Sequence, residues 1–410
     1  MNEKPKINVL FASSKYMPEY SGSGFRAHNQ YKRLTAKYPE INVTVVCGSE
    51  SENTCARYQY DGFEIERIAC KPFTKLREGG LWRKYQIARN FNAEYSKTMK
   101  MLDGLKTMPD IVHVFGESYA MIAVLNYAIK KGIPAIIELC NEMDTPFMYV
   151  PFSHKMWVSS AFPAKYNCVC ISERLKKMCQ RNGIPEESIW SRPNPVDEDC
   201  FYPVDASVKN VFRKKLTKFS EDDKLLLYIA NFKTSKNHGF LIDVIKHLPS
   251  EFKLYLGGPL EVHGPKAKKH QMLFDEMVKR VKDENLEDRI QIVCGFCKDI
   301  GKFYQMADAY MFPTLHEGLG TPMLESISCG LPVVANIIPG ITDFWINDGE
   351  NGFLSELDPK IFAEKTKLAL NFSEEHRRSE AEKMIKKTGT EVIDKEYYAL
   401  INSLIGKKTQ

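Results

Sequence analysis

The sequence predicts an α/β protein built from two doubly wound, parallel-sheet domains. Short β-branched apolar runs alternate with amphipathic stretches, the alternation restarts midway, and a proline-rich acidic segment separates the two series. Strands alternating with helices form βαβ units, whose strands lie parallel in one sheet. At 410 residues the chain has room for two domains of ordinary size.

In the first series INVLFA (7–12), VTVVCG (43–48), IVHVFG (111–116), PAIIEL (134–139) and CVCIS (168–172) read as buried strands. They are short, β-branched and closed by polar or glycine residues. RAHNQYKRLTAKY (26–38) and SYAMIAVLNYAIKKG (118–132) have helical spacing, and the second stops at Lys130, Lys131 and Gly132. The second series runs KLLLYIAN (224–231), FKLYLGG (252–258), RIQIVCG (289–295), DAYMFPT (308–314) and PVVAN (332–336). Helices fit HGFLIDVIKHL (238–248) and QMLFDEMVKRVKDE (271–284). Between the series, RPNPVDEDCFYPVD (192–205) reads as a hinge or linker. The expected division is 1–195, then 196–374, then a helical segment 375–410. In that last segment Tyr397, Leu400, Ile401 and Leu404 make an apolar face, expected to pack back toward the first domain.

Composition excludes several classes. The net charge of +5, from 57 basic and 52 acidic residues, is a weak excess that gives no case for a nucleic-acid partner. The 11 cysteines are unpatterned: Cys294 and Cys297 form a C-x-x-C without a second pair, so they read as thiols of a reducing compartment rather than a zinc site. No run of about 18 apolar residues occurs, and Ile7 to Ala12 is too short for a signal core. The expected location is cytoplasmic, or attached to the inner face of a membrane.

The most informative stretch is 313–354. A strand ends near Pro313, a turn bearing Gly318, Leu319 and Gly320 follows, and a helix starts at Thr321 or Pro322, good residues for N-cap and first turn. Backbone N–H groups and the positive end of the helix dipole make such a turn an anion site suited to a diphosphate. Glu317 precedes the helix and Glu325 lies one turn inside it, so both can accept hydrogen bonds from sugar hydroxyls, Glu317 from a hexose and Glu325 from a ribose.

Glu317 to Glu325 resembles the E-x7-E signature of the family 4 glycosyltransferases, and most of 313–335 follows the surrounding pattern, with Thr314 and Ser326 as departures. The resemblance implies the GT-B fold, two Rossmann-like domains facing each other across a cleft, with transfer that retains anomeric configuration and needs no metal. It makes Glu317 and Lys236 the catalytic candidates. YIANFKTSKNHGFLIDVI (228–245) is similar to the family's phosphate-binding stretch: Lys236 falls at its lysine and Asn231 where an arginine is common. VCISERLKKMCQRNGI (169–184) with RPNPVD (192–197) resembles the end of the family's first domain, and Asp197 and Asp199 are set aside as metal ligands because they fall at its structural aspartate. Gly295 and Phe296 match the loop near the nucleotide base.

On the acceptor side, Gly22, Ser23 and Gly24 in KYMPEYSGSGFRAHNQYKRL (15–34) resemble the family's glycine loop, which abuts donor phosphate and acceptor. With Ala27 in place of the third glycine the loop lacks the dinucleotide fingerprint. In DIVHVFGES (110–118) His113 takes the first position of the family's H-x-H, Phe115 takes the second, and Glu117 or Glu138 is left as a stand-in. His113 is equally readable as a satisfied core histidine. The basic stretch 71–106, edged by Leu81, Trp82 and Tyr85, reads either as a face for anionic lipid or as a solvated helix face. The expected activity is transfer of a hexose-type sugar from a nucleoside-diphosphate sugar, UDP before GDP, to a saccharide or lipid-linked acceptor in surface polysaccharide or glycolipid synthesis. The rival readings are a nucleotide-sugar epimerase or hydrolase, a non-catalytic binder, and an NAD-dependent oxidoreductase.

Overall fold

The computed structural model describes residues 6–19, 22–49, 54–70, 80–116, 118–140, 166–260 and 267–406. They form two compact units: residues 1–193 with 393–410, and residues 194–392.

The first unit holds β1 (Ile7–Ser13), α1 (Gly22–Lys37), β2 (Ile41–Ser49), β3 (Ala56–Tyr60), β4 (Phe63–Ala69), α2 (Gly80–Asp103), β5 (Ile111–Phe115), α3 (Tyr119–Lys130), β6 (Ala135–Leu139), β7 (Tyr166–Cys170), α4 (Glu173–Arg181) and β8 (Ile189–Ser191). Its sheet runs β3-β4-β2-β1-β5-β6-β7-β8. Every pairing is parallel except β3 with β4. That hairpin is absent from the strand list read off the sequence, although Asp61-Gly62 signals it: both have positive φ (47° and 90°), as a tight two-residue hairpin turn requires. A second difference is that α1 starts at Gly22, so Gly22, Ser23 and Gly24 form its first turn and not a loop ahead of it. Glycine is tolerated there because the first turn has few intrahelical hydrogen bonds to lose.

The second unit holds α5 (Ala206–Leu216), β9 (Lys224–Ile229), α6 (His238–Lys246), β10 (Phe252–Gly258), α7 (Ala267–Asp283), β11 (Ile290–Cys294), α8 (Ile300–Gln305), β12 (Ala309–Phe312), α9 (Thr321–Ser328), β13 (Val333–Asn336), α10 (Thr342–Trp345), β14 (Gly352–Ser355), α11 (Pro359–Ala369) and α12 (Glu374–Thr388). Its sheet, β11-β10-β9-β12-β13-β14, is parallel throughout. Counted from β9, that is the strand order 3-2-1-4-5-6 of a doubly wound nucleotide-binding sheet, which reverses direction between β9 and β12. The first sheet repeats the order around β1 and β5.

The closing helix α13 (Thr390–Gly406) begins in the second unit and ends in the first. Residues 375–410 are therefore not one segment: α12 stays with the second unit, and Gly389 separates it from α13. Tyr397, Ile401 and Leu404 enter the core of the first unit with Val9, Phe11, Tyr31 and Val45, and Leu400 packs at its edge. Burial of each such side chain contributes about 1.5–3 kcal/mol. Arg33 grips Asp394 with two hydrogen bonds of 2.6 and 3.0 Å, and Tyr38 stacks on Tyr398. The proline-rich stretch is ordered as well. Val196 bridges to Gly389, its N–H reaching Thr388 O at 2.8 Å, and Phe201 is buried. The stretch read as a hinge or linker, 192–205, contains the boundary between the units, and Val196 and Phe201 hold its part from 194 on to the second unit.

A candidate donor site at the strand reversal of the second sheet

Ligands of doubly wound sheets bind beyond the carboxyl ends of the strands, where strand order reverses. In the second unit those ends belong to β9 and β12. After β9 the chain makes a one-turn 3₁₀ helix, Thr234–Lys236, that stops at Asn237 in the left-handed region (φ 55°, ψ 37°). Asparagine tolerates that conformation better than most residues. Tyr228 OH donates to Lys236 O at 2.7 Å and fixes the turn from below.

After β12 the chain is stitched to that turn. Leu315 N–H donates to Ser235 O at 2.8 Å, Asn237 Nδ2 reaches Pro313 O at 3.3 Å, and Asn336 Nδ2 holds Thr314 O at 2.9 Å. The result is a direct ion pair between Lys236 Nζ and Glu317 Oε1, both side chains mostly buried. Thr314 Oγ1 lies 3.2 Å from the same carboxylate oxygen. A cation and a carboxylate thus stand together at the reversal point, each within reach of polar partners that a ligand can replace.

The glycine turn follows directly. Gly320 has φ +80° and is the N-cap of α9; a Cβ there would come within 2.7 Å of Met323 Cε and 3.2 Å of the Phe312 ring. The expected threonine cap is thereby corrected: Thr321 lies inside the first turn, and its hydroxyl accepts from Asn194 Nδ2 at 2.8 Å. No side chain caps the helix, so its first N–H groups and dipole remain available to an anion. Leu319 is buried beneath the turn.

Glu325 points from α9 into the unit, where Tyr304 OH donates to Oε2 at 2.9 Å. Burial raises its carboxyl to about 7, against the opposing pull of Tyr304. Burial, Glu325 and Glu317 together raise the Tyr310 phenol, so both carboxylates of the pair act on one ring. The remaining donor candidates sit apart in character: Asn231 and Gly295 are exposed, and Phe296 is 78% exposed beyond β11. Thr314, Asn237, Asn336, Asn194 and Tyr304, which position this site, were not singled out as functional from the sequence. Thr314 stood out as a departure from serine and nothing more; the others depend on contacts between segments far apart in the chain.

The first unit distributes its candidates differently. His113 is fully buried: Nδ1 bonds Tyr31 OH at 2.7 Å, and Nε2 faces Glu138 at 3.5 Å. Both ring nitrogens are shut off from solvent, and Nε2 has no hydrogen-bond partner among the described residues. Glu138 is buried too, held by Arg192 at 2.5 Å and by Tyr397 OH at 2.6 Å, with Arg26 at 3.7 Å. Burial alone would raise Glu138, but Arg192, His113 and Arg26 hold it below the ordinary carboxylate value. Burial pushes the Arg192 guanidinium down to about 10. Gly22 is exposed and Gly24 buried, while Glu117 and the Ser23 side chain lie outside the described residues.

Residues 209–388 match the family model described as glycosyl transferases group 1. Among curated relatives, the N-acetylgalactosamine-N,N'-diacetylbacillosaminyl-diphospho-undecaprenol 4-alpha-N-acetylgalactosaminyltransferase of Campylobacter jejuni is 26% identical over 151 residues, 37% of this chain and 38% of the relative. The UDP-Gal:alpha-D-GlcNAc-diphosphoundecaprenol alpha-1,3-galactosyltransferase of Escherichia coli is 22% identical over 276 residues, 65% of this chain and 69% of the relative. The chain spans 38–47% of the length of the first curated relatives it matches. Anabaena Alr3699/HepE, solved in complex with UDP, superposes with a TM-score of 0.69 at 16% identity over 97% of this chain and 100% of that one. The chain thus has the GT-B fold, and its second unit carries the glycosyl transferases group 1 pattern.

Proposed function

We propose that the chain transfers a hexose-type sugar from a nucleoside-diphosphate sugar, UDP before GDP, to a saccharide or lipid-linked acceptor, with retention of configuration. The observation that carries the reading is the Lys236–Glu317 pair at the strand reversal, next to the uncapped start of α9. As the bond from the anomeric carbon to phosphate breaks, negative charge gathers on the leaving diphosphate. Preorganised donors aimed at that charge are the largest usual source of rate. Here they are Lys236 and the N–H groups after Gly320, so the reading assigns charge neutralisation to the chain itself and expects no metal requirement. Donor binding takes Lys236 from Glu317 to phosphate and frees Glu317 to accept from hexose hydroxyls. Glu325 accepts from the ribose. The UDP complex of the structural neighbour supports the donor class, and the diphosphoundecaprenol substrates named for two relatives support a lipid-linked acceptor and a role in surface glycan or glycolipid assembly.

The test is Glu317→Gln, compared with the unaltered chain for UDP affinity and for turnover of UDP-hexose with and without acceptor, in EDTA throughout. The reading expects turnover to fall about 100-fold, as when a group that positions the reacting sugar is lost, while UDP affinity changes little. Equal turnover in the variant refutes it. Turnover that needs no acceptor supports the epimerase or hydrolase reading instead.

A lipid-linked acceptor calls for a membrane-facing surface, and α2 supplies a candidate. Trp82 and Tyr85 are 55% and 53% exposed and stack at 5.2 Å, and Arg89, Lys97 and Lys100 are exposed further along the helix. Exposed aromatics and cations together suit an anionic interface, and this supports a peripheral position at the inner face of a membrane. Residues 71–79 of the same basic stretch lie outside the described residues. Equal flotation with neutral and anionic vesicles would remove this element.

A further inference from the structure

A cavity of about 100 Å³ opens in the second unit at the amino ends of the central strands, opposite the carboxyl ends where Glu317 lies. It lies where the chain leads into β12 and β13, between the start of α5 and α12, and its walls include Lys209, Gly330, Glu374, Arg377 and Arg378. A space of that size holds several waters or one small tetrahedral anion, and is too small for a nucleotide.

Three cations, Lys209, Arg377 and Arg378, and one carboxylate, Glu374, line it. Lys209 and Arg213 share one carboxylate, Asp308. Arg378 takes both Asp205 and Glu374, at 2.6 and 2.9 Å. Arg377 lies between this cavity and a smaller one whose walls include Pro332, Phe372 and two carboxylates, Glu350 and Glu380, neither of which forms an ion pair with it among the described residues. Its Nε is shielded from solvent and has no hydrogen-bond partner among the described residues. A shielded, unsatisfied donor on a cation costs more than an ordinary lost hydrogen bond. Burial pushes the Lys209 ammonium below its usual value; Arg213 and Arg377 add to that push, while Asp308 opposes it. Like charges are thus held together beside a cavity.

We propose that this cavity is an anion site that takes a phosphate or the phosphoryl group of a small metabolite, with the Arg377 fork and Lys209 as its principal donors. Arginine matches phosphate geometry through paired N–H groups, and lysine adds a point charge. Residues Cys329 to Leu331, which floor the cavity, close α9, the helix that also carries Glu325. The site is independent of the donor reading, because Lys236 and Glu317 take no part in it.

The experiment is thermal unfolding of the full chain against inorganic phosphate, and separately against a hexose monophosphate, with chloride at equal ionic strength as the reference. The two ligands distinguish free phosphate from a phosphorylated metabolite. Each series is run on the unaltered chain, on Lys236→Gln and on Arg377→Gln. The expected result is stabilisation by at least one of the two, retained in Lys236→Gln and weakened at least about tenfold in apparent affinity in Arg377→Gln. Arg378→Gln, at the rim, serves as a second variant and is expected to weaken binding less. No stabilisation beyond chloride overturns the proposal. So does stabilisation that survives Arg377→Gln and Arg378→Gln but disappears in Lys236→Gln, since it then belongs to the donor turn.

Discussion

Glu325→Gln is expected to stabilise the ligand-free protein at pH 8, at a residue whose loss should weaken donor binding. The carboxyl rises from 4.5 to about 7 because the folded chain buries it on α9 with Tyr304 as its hydrogen-bond partner. That rise from 4.5 to about 7, at about 1.4 kcal/mol for each tenfold change in proton affinity, sets a ceiling of about 3 kcal/mol. The sign follows from proton counts. Between pH 4.5 and 7 the folded state holds the proton and the unfolded state does not, so stability falls as pH rises through that window and levels off above 7. Glutamine keeps an oxygen to accept from Tyr304 and carries no charge, so the variant lacks this term. Urea unfolding of both proteins at pH 5 and pH 8 measures it: the variant should gain on the unaltered chain by up to about 3 kcal/mol on going to pH 8. An unchanged gap between the two proteins refutes the reasoning. Ribose hydroxyls would supply donors to the ionised carboxylate, so UDP affinity should rise from pH 6 to pH 8 in the unaltered chain and stay flat in Glu325→Gln.

Other perturbations test the scaffold. Arg192→Met leaves Glu138 buried with its main cationic partner gone, and should cost about 3–5 kcal/mol in urea unfolding; a loss below about 1 kcal/mol would mean that the network relaxes around it. Gly320→Ala puts an alanine at φ +80° with its Cβ against Met323 and Phe312 and should cost about 1–3 kcal/mol, with UDP affinity falling in parallel. Glu198 accepts from Thr390 N–H and Oγ1 at 2.7 and 2.6 Å and from Glu391 N–H at 3.1 Å, at the start of α13. Glu198→Ala should therefore cost about 1 kcal/mol, read as a lower thermal midpoint at pH 7. Burial acts to raise the Glu198 carboxyl, but these bonds hold it below its ordinary value, so the difference from the variant should shrink as pH falls below about 4.

Much of this was legible because it rests on local pattern. The strands read at 7–12, 43–48, 111–116, 224–231 and 252–258 all fall in the two sheets, since β-branched runs with closing glycines are short-range signals. The helical spacing of Tyr397, Ile401 and Leu404 was equally readable, and all three are buried. The Glu317 turn could be found from its glycines and following helix. What escaped needed knowledge of partners. The ion pair joins residues 81 apart in sequence, and the three asparagines that hold its loops in place carry no periodic signature. The Asp61-Gly62 hairpin was readable from its turn residues, but the flanking alternation ARYQY and FEIERIA is too polar to resemble a buried strand.

The two sheets share a strand order over six strands and use their charges in opposite ways. In the first unit the charges at the ends of β6 and β8, Glu138 and Arg192, are sealed from solvent, and Tyr397 of α13 closes the pair. Among the described residues its hydrogen-bond partners are all protein groups, and the network ties the C-terminal helix to its sheet. In the second unit the pair beyond β9 and β12 is incompletely buried, its lysine sits on a single 3₁₀ turn, and an uncapped helix begins four residues after its glutamate. On the proposed reading, an anion exchanges for Glu317 on Lys236 at the cost of one ion pair, with the α9 N–H groups beside it. A buried carboxylate–cation pair is an anchor when every partner is protein, and a binding site when one partner can be exchanged. That difference, rather than the shared fold, is the physical reason for assigning the donor to the second unit.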